Sequence, residues 1–189
     1  MSRKIISLAL ILLTLDCFSQ GNSEQAESLL QNFYNWYIEA VKERRTSDIY
    51  PQFIKSETGF TTLYFSTYLS NLEKANFSKE LLQEVMEAFE QCESNLSKLK
   101  YEDFIKLGDL DDFEEMDCAF NNVYTWIWSM EPVDGIEITE VASKNESEYL
   151  INFKFYYFGS SEEDKSYNNL SRTATLKLFE NNWQITSLK

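Results

Sequence analysis

The sequence predicts an α+β domain, with helices from its first half packed on one face of an antiparallel sheet formed by its second half. Two patterns carry this reading. As far as Pro132 the apolar residues recur at intervals of three and four, the period of an amphipathic helix; beyond it they alternate, the period of a half-buried strand. Composition adds a third observation. With 43% apolar and 15% aromatic residues, the 189-residue chain has enough material to fill the core of a single domain, and disorder is excluded.

The N-terminus is set apart from that domain. Arg3 and Lys4 precede an apolar run over residues 5–15 that only Ser7 and Thr14 interrupt. This is the build of a cleavable secretory signal peptide, expected to occupy residues 1–19 and to leave residues 20–189 as the domain. Cys17 and Ser19 would take the small-residue positions before the cut, making Gln20 the new first residue. The run falls short of the roughly 20 residues a membrane-spanning helix needs, and no later stretch is longer, so no transmembrane segment is expected in the mature chain. Cys17 also raises the alternative of lipid anchoring. Asp16 opposes it, since lipidation signals take a small neutral residue there, and the reading is of an exported periplasmic or extracellular protein.

The elements follow in order. Asn22 or Ser23 can cap a helix over residues 24–42, whose stripe is Ala26, Leu30, Phe33, Tyr37 and Val41, broadened by Leu29, Tyr34, Trp36 and Ile38. Residues 44–60 hold Pro51 and Gly59 and read as an irregular connection. A helical piece is expected over 61–72, then a long helix over 78–98 with Ser78 as its cap and Leu82, Val85, Phe89, Cys92 and Leu96 on one face. An acidic segment leads into a last helix, with Phe113, Met116, Phe120, Val123 and Ile127 as its stripe and Pro132 beyond its end. Strands follow at Ile136–Ile138, at Tyr149, Ile151, Phe153, Phe155 and Tyr157, and at Ala174, Leu176 and Leu178. A two-residue turn at Asn181-Asn182 would set Leu178 opposite Ile185 on a closing strand. The polar residues 159–171 read as a long hairpin connection.

Charge and residue usage restrict the chemistry. Without residues 1–19 the chain keeps 15 basic and 30 acidic side chains, a formal charge of −15 that repels phosphate backbones and so argues against nucleic acid as a partner. Histidine is absent, which removes Ser-His and Cys-His catalysis and every histidine-ligated metal site. Cys92 and Cys118 are the two cysteines left after processing. In an oxidising compartment an even pair can form a disulfide, yet Cys92 also lies on an apolar stripe and can be simply buried; the spacing leaves both readings open. Asp109, Asp111, Asp112, Glu114, Glu115 and Asp117 superficially suggest calcium, but Phe113 occupies a ligand position and Glu114 stands where an EF-hand needs glycine. The run reads instead as an acidic helix N-terminus. No metal and no cofactor is expected.

The aromatic first helix, Phe33-Tyr34-Asn35-Trp36-Tyr37, the order of elements, and the ending Leu176-Lys177-Leu178-Phe179-Glu180-Asn181-Asn182-Trp183-Gln184-Ile185 resemble exported bacterial members of the nuclear-transport-factor-2-like superfamily. Within it the chain resembles a domain of unknown function. The resemblance implies a curved sheet wrapped around helices as a cone with a pocket, the cystatin-like arrangement, and it implies no particular chemistry. Isomerase relatives use a buried carboxylate beside tyrosines, for which Tyr34, Tyr37, Tyr149, Tyr157 and Glu39 are the candidates here. Trp126 and Trp128 would lie far apart around a helix, one inward and one half exposed.

Together these features favour a non-catalytic binding or inhibitory module that recognises a basic envelope protein through an acidic surface, with Asp109, Asp111 and Asp112 as its candidate residues. A pocket for a small apolar ligand is the alternative, and an acid-base enzyme the third.

Overall fold

The computed structural model describes the backbone of residues 3–189 except 109, 162, 163 and 169, and side chains from Asn22 onward except at those positions and at 110, 121 and 122. The fold is α+β, with helices against antiparallel sheets. Helix α1 (Arg3–Lys42) runs for 40 residues without a break at the expected start near residue 24. A lone glycine at position 21 costs only about 1 kcal/mol in a helix, too little to end it among good helix formers. No helix among the described residues is long and apolar enough to cross a membrane.

After the short helix α2 (Thr46–Ile49), strands β1 (Gln52–Lys55) and β2 (Thr61–Tyr64) form a hairpin in which Phe53 faces Leu63. Gly59 lies in the loop between them with φ 87°. This corrects two expectations, the irregular stretch over 44–60 and the helix from 61. Thr61, Thr62 and Tyr64 are β-branched or aromatic and suit a pleated surface, so helix α3 (Ser66–Lys74) begins only after them.

The expected helix over 78–98 is divided into α4 (Lys79–Glu87) and α5 (Glu90–Leu96). Ser78 caps α4, its Oγ accepting from the Leu81 N–H at 3.2 Å. The break falls at Ala88 and Phe89, where the Phe89 N–H bonds to the Met86 carbonyl and tightens the last turn. Phe89 thereby packs edge-on against Phe65 and Phe120, at 5.5 Å and 4.9 Å between ring centres.

Helices α6 (Tyr101–Phe104) and α7 (Leu110–Glu115) and a 3-10 turn at Ala119–Asn122 complete the first half. The expected last helix therefore stops at Glu115. Asp117 and Trp128 have positive φ, 56° and 55°, and an antiparallel bridge joins Tyr124 to Ser129, so residues 116–129 form a folded loop.

The main sheet has the order β3-β4-β6-β7, with strands β3 (Gly135–Asn145), β4 (Glu148–Phe158), β6 (Arg172–Phe179) and β7 (Asn182–Leu188). Part of the presumed loop 159–171 is a further strand, β5 (Lys165–Tyr167), paired with β4. The closing turn is shifted by one residue from its expected place. Phe179 pairs with Asn182, so Glu180 and Asn181 carry the positive φ values, 48° and 67°, that a two-residue hairpin turn requires. Leu178 consequently faces Trp183, and Leu176 faces Ile185.

One face of this sheet packs on α1. Ile151, Phe153, Phe155, Leu176 and Ile185 are buried and Leu178 is half-buried. Tyr34 meets Phe153 and Phe155 at 5.0 Å and 5.4 Å. A polar clamp holds the end of α1 to the sheet: Lys42 Nζ lies 2.6 Å from Asp134 Oδ1, and Asp134 Oδ2 accepts from the Phe158 N–H at 2.7 Å. The outer edge of β7 is covered by residues 76–78, through Ile185 N–H to Asn76 O and Ser78 N–H to Ile185 O, both 2.9 Å. The opposite strand, β3, is irregular in register between Ile138 and Glu140 and between Ser143 and Asn145.

Candidate functional site

The loop over residues 116–129 has little regular structure, so its position depends on what ties it down. Tyr34 Oη donates to the Trp126 carbonyl at 3.2 Å, and Tyr50 Oη to the Val123 carbonyl at 3.3 Å. Asn95 Nδ2 donates to the Met116 carbonyl at 3.1 Å. Cys92 of α5 and Cys118 of the loop are joined as a disulfide, with Cα atoms 4.9 Å apart and both side chains buried. Side chains from α1, Tyr50 and α5 thus hold the backbone of this segment.

Held in this way, the loop forms one wall of a pocket of about 330 Å³. The opposite wall is α3 and α4, which contribute Tyr68, Leu81, Val85 and, at the helix end, Ala88 and Phe89. The loop supplies Asp117, Phe120, Thr125 and Trp126, and the last residue of β7, Leu188, completes the lining. Among the described residues Glu84 and Asp117 are its charged groups, both exposed, and no lysine or arginine lines it.

Two of the lining residues have buried polar atoms. The Tyr68 hydroxyl and the Trp126 indole N–H are buried beside each other, short of a full hydrogen bond in geometry. The indole slightly favours the phenolate, but burial dominates and pushes the Tyr68 hydroxyl far above its ordinary range. Both atoms have essentially no accessible surface, so they lie behind the lining and do not face the open space of the pocket.

Two further clefts flank this one. The larger, about 500 Å³, lies between the end of α1 and the loop and carries Arg44 beside Tyr50, Phe53, Phe120 and Tyr124. Another, of about 370 Å³, lies between α1 and α3 and carries Lys74 beside Phe33 and Trp36.

The residues named for acid-base chemistry are not brought together. Tyr34 and Tyr37 are fully buried, and desolvation raises both hydroxyls well above their ordinary range, leaving them neutral. Tyr149 packs on Trp183 at 5.2 Å between ring centres, and Tyr157 is half-buried. Glu39 faces solvent, 66% exposed, with its carboxylate 3.8 Å from Arg45. Tyr34, Tyr37 and Tyr149 are therefore core side chains, and Glu39 lies on the surface.

Among the acidic candidates, Asp111 is exposed and Asp112 half-buried on α7, while Asp109 lies outside the described residues. No group of three or more metal-binding side chains occurs among the described residues. Trp126 is buried, and Trp128 is half-buried against Phe155, with the Arg172 guanidinium 4.6 Å above its ring. The sequence offers a small-ligand pocket as an alternative but does not locate this one. Helical spacing puts Val85 and Phe89 on a core stripe, and nothing in it distinguishes a stripe that meets a helix from one that meets a cleft. A scan of protein-family models and searches of curated proteins and of solved structures return no match to this chain.

Proposed function

We propose that this chain is an exported binding module that acts without turnover, holding a small apolar ligand in the pocket between α3, α4 and the disulfide-tethered loop. The observation that carries the reading is the lining: mainly aromatic and aliphatic side chains around about 330 Å³. Such pockets, mainly apolar with a few polar atoms, are the ordinary form of small-molecule sites, and this one is at the low end of their volume range of about 300–1,000 Å³. Tyrosines held neutral by burial, with Glu39 in solvent, offer no proton-transfer pair.

A cone of the nuclear-transport-factor-2-like type belongs to the same proposal. It is supported by a sheet whose register shifts at three places, since bulges bend strands, and by α1 packed across the bent face. Native mass spectrometry of protein purified from its own host tests the function. A retained small molecule, lost when Ala88 is replaced by Trp, is the expected result; a measured turnover dependent on a pocket tyrosine would overturn it.

One observation favours a second reading, in which a basic envelope protein binds the acidic surface. Asp111, Glu114 and Glu115 are exposed on α7, two residues before the pocket's own Asp117. Association would then slow as salt rises from about 50 to 500 mM. Neutralising Asp109, Asp111 and Asp112 together would reproduce that effect without changing thermal stability.

A further inference from the structure

The three clefts differ in the sign of the charge they present. The cleft beside Tyr50 carries Arg44 and the one beside Trp36 carries Lys74, whereas the pocket beside Tyr68 carries Glu84 and Asp117 and, among the described residues, no cation. Neither carboxylate forms an ion pair among the described residues. An anion entering here would approach two uncompensated negative charges in a chain that is already strongly acidic. A cation would encounter the opposite field.

We infer that this pocket selects small amphipathic amines: an apolar body between Val85, Phe89, Phe120 and Trp126, and a single ammonium at the mouth between Glu84 and Asp117. The inference rests on the pocket reading above and adds the ligand's charge. The volume of about 330 Å³ sets the body's size at roughly ten heavy atoms or fewer, since one liquid water alone takes about 30 Å³. The apolar lining excludes a polyamine, whose second charge would have to be desolvated among aromatic rings. Two ion pairs at an open rim are each modest, so charge selects the ligand while burial of its apolar body supplies most of the affinity.

The test compares three probes of one shape, octylammonium, 1-octanol and octanoate, titrated into the full mature chain and followed by the indole N–H resonance of Trp126. At about 20 mM salt octylammonium is expected to bind roughly tenfold more tightly than octanol, with octanoate weakest. At about 500 mM salt the order should compress. The double substitution Glu84→Gln and Asp117→Asn should equalise octylammonium and octanol. Ala88→Trp, at an exposed position on the lining, should abolish binding of all three while a thermal melt shows that the fold persists. Equal affinities in the unaltered protein, or a preference that survives the double substitution, would overturn the inference but leave the pocket reading standing. Failure of all three probes to shift Trp126, or binding untouched by Ala88→Trp, would overturn both.

Discussion

Replacing Phe153 with Ala measures how firmly the sheet is held to α1. The ring is fully buried at the centre of β4 and meets Tyr34 at 5.0 Å and Phe155 at 5.6 Å. Truncating a packed phenylalanine costs about 3–5 kcal/mol, the transfer of its carbons plus the cavity left behind. Each lost aromatic pair is worth about 0.5–1.5 kcal/mol beyond area, which places this site in the upper half of that range. A loss of about 4 kcal/mol corresponds to roughly 8–16 °C in melting temperature for a domain of this size. Urea denaturation followed by fluorescence should show a lower midpoint with an unchanged slope. Phe179→Ala is the control: the side chain is 46% exposed beside the β6-β7 turn, and its loss should stay within about 0.5 kcal/mol. A loss at Phe153 below about 1 kcal/mol would refute the assignment of that sheet face to the core.

Three further outcomes are expected. Asp134 is held below the usual carboxylate range, chiefly by the hydrogen bond from Lys42 and then by the Phe158 N–H. Its contribution is therefore complete above the unfolded value near pH 4 and is lost as pH falls through the lower folded value; Asp134→Asn should cost about 1 kcal/mol at neutral pH and leave the acid limb of a pH–melting profile shallower. The disulfide closes a separation of 26 residues, for which chain entropy alone gives about 3.5 kcal/mol; paired Cys92→Ser and Cys118→Ser substitutions should lower the melting temperature and remove its response to reductant. Intact-mass analysis of the exported form should place its first residue at Gln20, and a diacylglyceryl group on Cys17 would refute that.

The second half of the fold was legible because alternation is a strong signal where one sheet face is buried. Tyr149, Ile151, Phe153, Phe155 and Tyr157 mark β4's inward side; the first four are buried and Tyr157, near the strand's end, is half-buried. The turn was displaced by one residue because Glu180 adopts positive φ, which composition alone does not suggest beside two asparagines. The first half was less legible. Helical spacing at Phe113, Met116, Phe120 and Val123 fits a helix, yet the chain is turned by Asp117 and tied by Cys118 to α5. That tertiary constraint is set by residues far away in sequence and outweighs a local period. The same loop makes the pocket, so the pocket was hidden for the reason the loop was: its walls come from Tyr68, Val85, Phe120 and Leu188, which no single periodic window contains.

The two borders of the main sheet bear on how any partner can dock. On the β7 side the free main-chain groups at Ile185 are already bonded to residues 76 and 78, and on the β3 side the ladder is interrupted twice and carries Glu137 and Glu140. An incoming extended peptide would find no uninterrupted row of donors and acceptors to continue, and charge would repel many that tried. Recognition by strand addition is therefore disfavoured at both borders, and so is filament growth by stacking sheet on sheet edge. At these two borders a partner is left with side-chain chemistry, and on β3 that means the exposed carboxylates of Glu137 and Glu140.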